Sequence, residues 1–583
     1  MITKLINRVT QYIDLNNLPS VSINFALFRI LFFGHILFTI YSTNVYKGLI
    51  FDSISGITKN PFPFNTFLWV WAICAAMMMM GWFTKYISIV QYICIVFAYQ
   101  LFNRSGIASY YSDLMLMGSF LCIFFPISKS YSIDAMVSRV MCADASPKTT
   151  PKYQYTIFIF LTLGLMYVGS AITKIGSPIW QQGIGLWIPL NMPFFKWHGL
   201  ANYIADFEWP LKAINYFVII WEILFVFLIF SKRFKKLTIF IGIAFHVGIA
   251  TLFYFPEIAL ATLIFYLLFI PDLFWNMLSR KIRVPNPQNI FVSENTIIAN
   301  RAWAFFSGLD FRHKFKKVTD DKESALNLNN QQVFVQLLNS YWLYKTLAFF
   351  VASGAHRGIL KLLHFSLSPS ITNAPLRVTP QFKIYALVCF TLFATAVQSF
   401  VSTRFFIKQL TTEKAVHFMP KKQSNQSTNF SRPSQIARSL FGINSRGLFL
   451  DNGIAAKRTM IAIACYDSTI RETTLLPLTD LKGYHTSGKG AWTKTYTHYL
   501  YQNNPLSLTG LEKILRYWSS KNRRTLTGTH FIILKRDYPE SNHFEHQYWQ
   551  KMERLPWDTA GIAFWQNDTF RYVPVVKDSI SVK

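Results

Sequence analysis

Five ionisable side chains interrupt otherwise apolar runs of this sequence: Arg29, His35, Lys174, Glu222 and His246. A charge inside a membrane-spanning helix costs about 2.5–3.5 kcal/mol on insertion scales, so each needs a partner or a purpose. At 1.5 Å per helical residue, Glu222 lies roughly 16 Å down its run and His246 roughly 15 Å up the next. The turn 231–235 joins the two runs, so they are expected to be neighbours. A midplane Glu222–His246 contact follows, either as a structural hydrogen bond or as a shared proton. Lys174 closes its own run, roughly 29 Å from the start. A lysine there either snorkels to the headgroups or, desolvated in an apolar pocket, loses its proton and acts as a general base. A neutral lysine needs carboxylates kept away, so Asp206 and Glu208 are expected to stand apart from it. His198 is the alternative base in the next loop. His543-Phe-Glu-His546 has two imidazoles but no third ligand nearby, which marks a surface pair; no metal site is expected.

The elements that must hold these groups are helices in a bilayer. Of 583 residues, 52% are hydrophobic and only 15% charged, against about 25% charged in an ordinary soluble domain. That composition excludes a wholly soluble or a disordered chain. The net charge of +30 suggests nucleic acid, but the basic residues flank apolar runs, as in oriented membrane proteins. The expected partner is the lipid bilayer, with no nucleic acid. Eight candidate spans fall near 22–43, 66–83, 86–102, 112–127, 155–174, 211–231, 236–255 and 257–275, and a ninth at 384–401. With the N-terminus inside, the inner segments hold 14 Lys and Arg. The outer loops hold four: Lys47, Lys59, Arg104 and Lys196. The expectation is a multi-pass cell-membrane protein with a cytoplasmic N-terminus and an extracytoplasmic C-terminal domain.

The expected fold is a polytopic α-helical membrane protein of about nine transmembrane helices with a C-terminal α+β extramembrane domain. Its parts are an eight-helix domain over 1–280, a cytoplasmic α/β module over 281–381 and a ninth helix over 382–407. A polar linker over 408–438 leads to the outer domain at 439–583. Within that domain 459–466 and 530–534 are β-rich, and 508–519 has helical periodicity. The six cysteines form no CxxC, which excludes dithiol chemistry and structural zinc.

The stretch Tyr167-Val-Gly-Ser-Ala-Ile-Thr-Lys174, followed by Trp180 and Gly183, resembles the signature of the HTTM family, which includes the vitamin K-dependent γ-glutamyl carboxylases. Arg29, Asn103-Arg104, Asp113, Pro126, Tyr131-Ser-Ile-Asp134, Glu222 and Phe245-His246 follow the family's order over about residues 20–280. The resemblance implies that Lys174 is the base that deprotonates a hydroquinone. Oxygenation of that hydroquinone then yields a base able to remove a glutamate γ-proton, and CO2 adds to the carbanion. Glu222 and His246 would support it as a midplane pair. Thr173 stands where the carboxylase has a second lysine, and the family's Asn-His pair is replaced around Ser112-Asp113. The resemblance thus implies a quinone or hydroquinone cofactor and a peptide or protein substrate on the outer face. The alternative is a non-enzymatic membrane protein for peptide or toxin maturation, export or immunity, working through its outer domain. A second resemblance runs from Phe291-Val-Ser-Glu-Asn-Thr-Ile-Ile-Ala-Asn-Arg301 to the opening of DCC-type thiol-disulfide oxidoreductase modules. Thr296 and Ala299 replace both cysteines, so such a module would be redox-dead.

Overall fold

The computed structural model describes residues 19–50 (except 22), 63–104, 110–142, 149–292 (except 152, 194, 198, 232 and 255), 297–318, 326–327, 331–353, 382, 385–397, 432–443, 450, 459–467, 472–484, 486 and 506–575 (except 523, 527, 540 and 542). In it the apolar runs are helices: α1 Ile23–Ile50, α2 Phe64–Met80, α3 Thr84–Arg104, α4 Tyr110–Phe124, the amphipathic α5 Ile133–Cys142, and α6 Tyr153–Ile175. Three short helices follow, α7 Pro178–Gln181, α8 Trp187–Asn191 and α9 Leu200–Ala205, and form a cap. Then come α10 Glu208–Leu228, α11 Lys235–Leu252, α12 Pro256–Tyr266 and α13 Asp272–Ile282.

Local chemistry sets the breaks. Gly81 ends α2 in the left-handed conformation, φ 73°, with its N–H turned back on Met77 and Met78. A side chain there would meet Ser132 at 2.4 Å and the Arg29 guanidinium at 2.8 Å. Pro271 forces Ile270 out of the helical region, to ψ 126°. The chain turns by 82° between Pro256–Phe269 and Asp272–Ile282.

Among the described residues, five helices are long and apolar enough to cross a membrane, or six if that bent pair counts as one span. This is fewer than the nine expected. Phe64–Met80 has 17 residues and Ser112–Phe124 is shorter, so at 1.5 Å per residue neither reaches the ~30 Å of a hydrocarbon core. The described part of the ninth run, helix α17 Tyr385–Val397, is likewise short; the rest lies outside the described residues. Large apolar side chains stand on the outside of the helices, Trp69 at 72% exposed, Phe227 and Phe240 at 68%. A core of rings fills the inside, including Phe25, Phe28, Phe32, Phe160 and Phe265.

Beyond α13, strands β3 Gln288–Phe291, β4 Phe315–Val318 and β5 Leu326–Asn327 form a parallel sheet in the order β4-β3-β5, and α14 Ile297–Leu309 crosses from β3 to β4. (β1 Pro19–Val21 and β2 Thr149–Pro151 make a small antiparallel pair elsewhere.) Helices α15 Gln331–Asn339 and α16 Lys345–Ala352 complete the described module, whose core holds Ile290, Phe306, Leu337 and Tyr341. After α17 comes α18 Arg432–Phe441. The C-terminal region is a five-stranded antiparallel sheet of order β10-β9-β8-β6-β7, from β6 Thr459–Asp467, β7 Glu472–Leu475, β8 Thr529–Asp537, β9 Asp558–Gln566 and β10 Thr569–Pro574. Helices α19 Leu506–Lys521 and α20 Tyr548–Arg554 belong to it.

The helix ends sort to two faces. On one, Asp134 binds the α2–α3 turn, and Gly308 of α14 sits against Met136 and Arg139 of α5. The parallel-sheet module therefore rests there. On the other, Tyr517 of α19 donates to Val45 at the far end of α1, and Gln547 donates to Asp206 behind the cap. The antiparallel-sheet domain lands on that face.

Candidate functional site

Helix α6 presents Tyr167, Ser170 and Lys174 at i, i+3 and i+7, which share one helical face. That face meets α10. Lys174 Nζ lies 2.5 Å from Glu222 Oε1, and Ser170 Oγ donates to the same oxygen at 3.2 Å. Lys174 is 4% exposed and Glu222 2%. One turn deeper, the Tyr167 hydroxyl sits 2.7 Å from His246 Nε2 and 3.0 Å from the Tyr266 hydroxyl, joining α6, α11 and α12. Among the described residues, Glu222 Oε2 and His246 Nδ1 have no hydrogen-bond partner.

The cap closes the site. The Trp180 ring stands 4.8 Å from Lys174 Nζ and is itself 1% exposed. Asn215 of α10 donates to the Trp180 carbonyl at 2.9 Å, and Tyr216 donates to that of Gln181 at 2.8 Å. Gly183 takes φ 79° directly over Lys212 and Tyr216, where a side chain would stand 3.1 Å from both. Thr173, 0% exposed, turns its hydroxyl to the Ser170 carbonyl.

Two expectations are corrected here. Glu222 is hydrogen-bonded to Lys174 and Ser170, and His246 to Tyr167, in place of the expected Glu222–His246 contact. The reason is packing: the polar face of α6 lies against α10 and supplies both partners. Lys174 is neither extended toward headgroups nor clear of carboxylates. Asp206 and Glu208 are engaged elsewhere, with Gln547 and with Lys212, but Glu222 from the facing helix occupies the position a free amine required to be empty. His198 lies outside the described residues.

The other motif residues do structural work away from this site. Arg29, fully buried, donates to the carbonyls of Met79, Ile127, Ser130 and Tyr131 at 3.2, 2.7, 3.4 and 2.5 Å. Asp134 accepts from the amides of Phe83 and Thr84 and from the Thr84 hydroxyl, at 2.6–2.9 Å. Asp113 accepts from Tyr99 at 2.7 Å, and Arg438 of α18 donates to that tyrosine at 3.0 Å. Arg104 ends α3; its side chain is not among the described ones. His35 is half-buried and stacks on Phe38. His543 and His546 lie on the surface of the C-terminal domain, 4.0 Å from Glu545 and 3.6 Å from Asp206. Among the described residues no cluster of three His, Cys, Asp or Glu could hold a metal ion.

Ser170 and Tyr266 were missed. A period of three to four from Tyr167 to Lys174 could have flagged Ser170; nothing local marks Tyr266. No protein-family model, curated protein or solved structure matches this chain.

Proposed function

We propose that the chain is a multi-pass membrane protein of the HTTM, carboxylase-like type whose Lys174–Glu222 pair is the proton-accepting centre of a membrane-embedded enzyme. One observation carries the proposal: two opposite charges, each more than nine-tenths buried and 2.5 Å apart, with the second carboxylate oxygen unpartnered among the described residues. Such a pair adds little stability over apolar side chains of the same volume, so its presence speaks for use. The base is then the pair and not a lone lysine. A proton moving from Nζ to Oε1 leaves the amine lone pair free to take one from a substrate, or Oε2 takes it directly. Either way the pair gains one proton, with Tyr167 about two turns from Lys174 along α6 and hydrogen-bonded to His246.

The residues present do not fit a hydroquinone at Lys174. Glu222 and the Trp180 ring already stand against the ammonium, at 2.5 and 4.8 Å, so a hydroquinone hydroxyl would have to displace one of them. A second reading, peptide or toxin maturation, export or immunity, would work through the C-terminal domain, which packs Tyr548 and Met552 against Trp187 and Ile188 of the cap.

The test is infrared difference spectroscopy on protein in lipid nanodiscs during pH jumps. A carboxyl band that Glu222→Gln removes is expected. Lys174→Arg, which keeps the charge but cannot release its proton, should suppress the band while leaving the fold intact. No Glu222-dependent band, or one unchanged by arginine, would overturn the proposal.

A further inference from the structure

Lys196 lies in the stretch between α8 and α9, where its backbone bridges Phe253 at the end of α11. It belongs to an outer loop of the cap, yet it is 1% exposed. The antiparallel-sheet domain covers it. Nζ lies 5.4 Å from the Trp549 ring and 5.9 Å from the Tyr484 ring, both from that domain. Among the described residues Nζ has no hydrogen-bond partner. The carboxylates nearby are already engaged. Asp206 accepts from the Gln547 amide and Trp549 Nε1 at 2.7 and 3.2 Å, and Glu553 accepts from the Tyr484 hydroxyl at 2.5 Å. An ammonium here would keep only the attraction of two ring faces and would lose its hydration with no hydrogen-bond acceptor in return, whereas a neutral amine loses far less on burial.

We propose that the seam between the cap and the C-terminal domain is a proton-operated latch, closed over the neutral amine of Lys196 and loosened when that amine takes a proton. The proposal stands apart from the Lys174–Glu222 chemistry and does not depend on it. Burial lowers the Lys196 pKa from 10.5 to about 7, against the pull of Glu553 and Asp206. The docked state therefore holds fewer protons than the undocked one. Docking is strongest above the undocked pKa, weakens as pH falls from 10.5 toward 7, and levels off below 7. The other groups facing Lys196 work differently. Burial and Glu553 push the Tyr484 phenol up, and burial raises Tyr254 and Tyr538 to about 12, so all three stay neutral through this window. Asp480 lies behind Tyr484. His546 lies on the rim, 3.6 Å from Asp206 Oδ1, and serves as the control position.

The experiment measures the seam in the full chain. Spin labels at Tyr203→Cys on the cap and Arg571→Cys on β10 go into a background with Cys142 and Cys389 replaced by serine. Distance distributions are recorded in nanodiscs from pH 6 to pH 9. The undocked-to-docked ratio should rise roughly fivefold from pH 8 to pH 7 and then flatten. Lys196→Met should abolish the dependence, and His546→Asn should preserve it. Lys196→Arg, charged at every pH, should show the longer distance throughout. A pH dependence that survives in Lys196→Met but is lost in His546→Asn would overturn the latch. So would an arginine variant that stays docked at every pH.

Discussion

At the scale of single residues, the Lys174–Glu222 pair behaves as a unit, and its energetics can be separated from its use. Removing one partner leaves the other charged in an apolar interior, which costs about 3–5 kcal/mol; replacing both with apolar side chains of similar size is near neutral. Lys174→Met and Glu222→Leu should each destabilise the protein strongly, and the double variant should recover most of the loss. Unfolding in mixed micelles, closed into a double-mutant cycle, reads the coupling. Strict additivity would mean that the two charges do not interact. Only half of this pairing was legible in the sequence. The intrusion of Lys174, Glu222 and His246 into apolar runs marks them as costly and in need of partners. Which partner each takes depends on how α6, α10 and α11 are rotated about their axes, and adjacency along the chain does not encode that. Lys196 was less legible still. Its burial comes from Tyr484 and Trp549, about 300 residues away, so in sequence it is one loop charge among four.

At the scale of elements, the apolar runs are readable because backbone groups in hydrocarbon must bond within their own helix. The β-rich stretches 459–466 and 530–534 fall within β6 and β8, which pair along their whole length from Thr459–Asp537 to Asp467–Thr529. What composition misreads is length: Phe64–Met80 is apolar from Phe67 onward but too short to count as a full span. At this scale the motif residues Arg29 and Asp134 fasten elements to one another. Asp134 is the case to test. It holds the first amides of α3 from another helix, as an N-cap would. Asp134→Ala should orphan the Phe83 and Thr84 amides and cost about 1–3 kcal/mol. Asp134→Asn should cost less, since it keeps an acceptor. Thermal unfolding of the two variants in detergent decides this, and equal losses would mean that charge, not capping, is what α3 requires.

At the scale of the whole molecule, the two sheet-bearing modules sit on opposite faces of the helical layer, one against α5 and the other against the cap and the end of α1. With that layer in a bilayer, a chain that joins its opposite faces crosses it an odd number of times between 353 and 459. α17 is the described helix placed to do so, with Phe390 against Phe120 of α4 and Phe441 of α18 at 4.6 and 5.2 Å. Its 13 residues span only ~20 Å, so its place in the packing supports a crossing better than its length does. The faces do not say which one meets the cytoplasm; the orientation expected from the sequence rests on the 14-to-4 excess of Lys and Arg, a count that requires the short helices α2 and α4 to cross as well. We therefore expect that a fluorescent protein inserted at residue 330 glows, as cytoplasmic reporters do. A phosphatase inserted at residue 500 should be active, as reporters are outside the cell. Reporters exchanged in compartment would keep the crossing and reverse the orientation, so the charge bias would have misled. Both in one compartment would remove the crossing, and the packing of α17 against α4 and α18 would then have to be that of a helix lying along the layer.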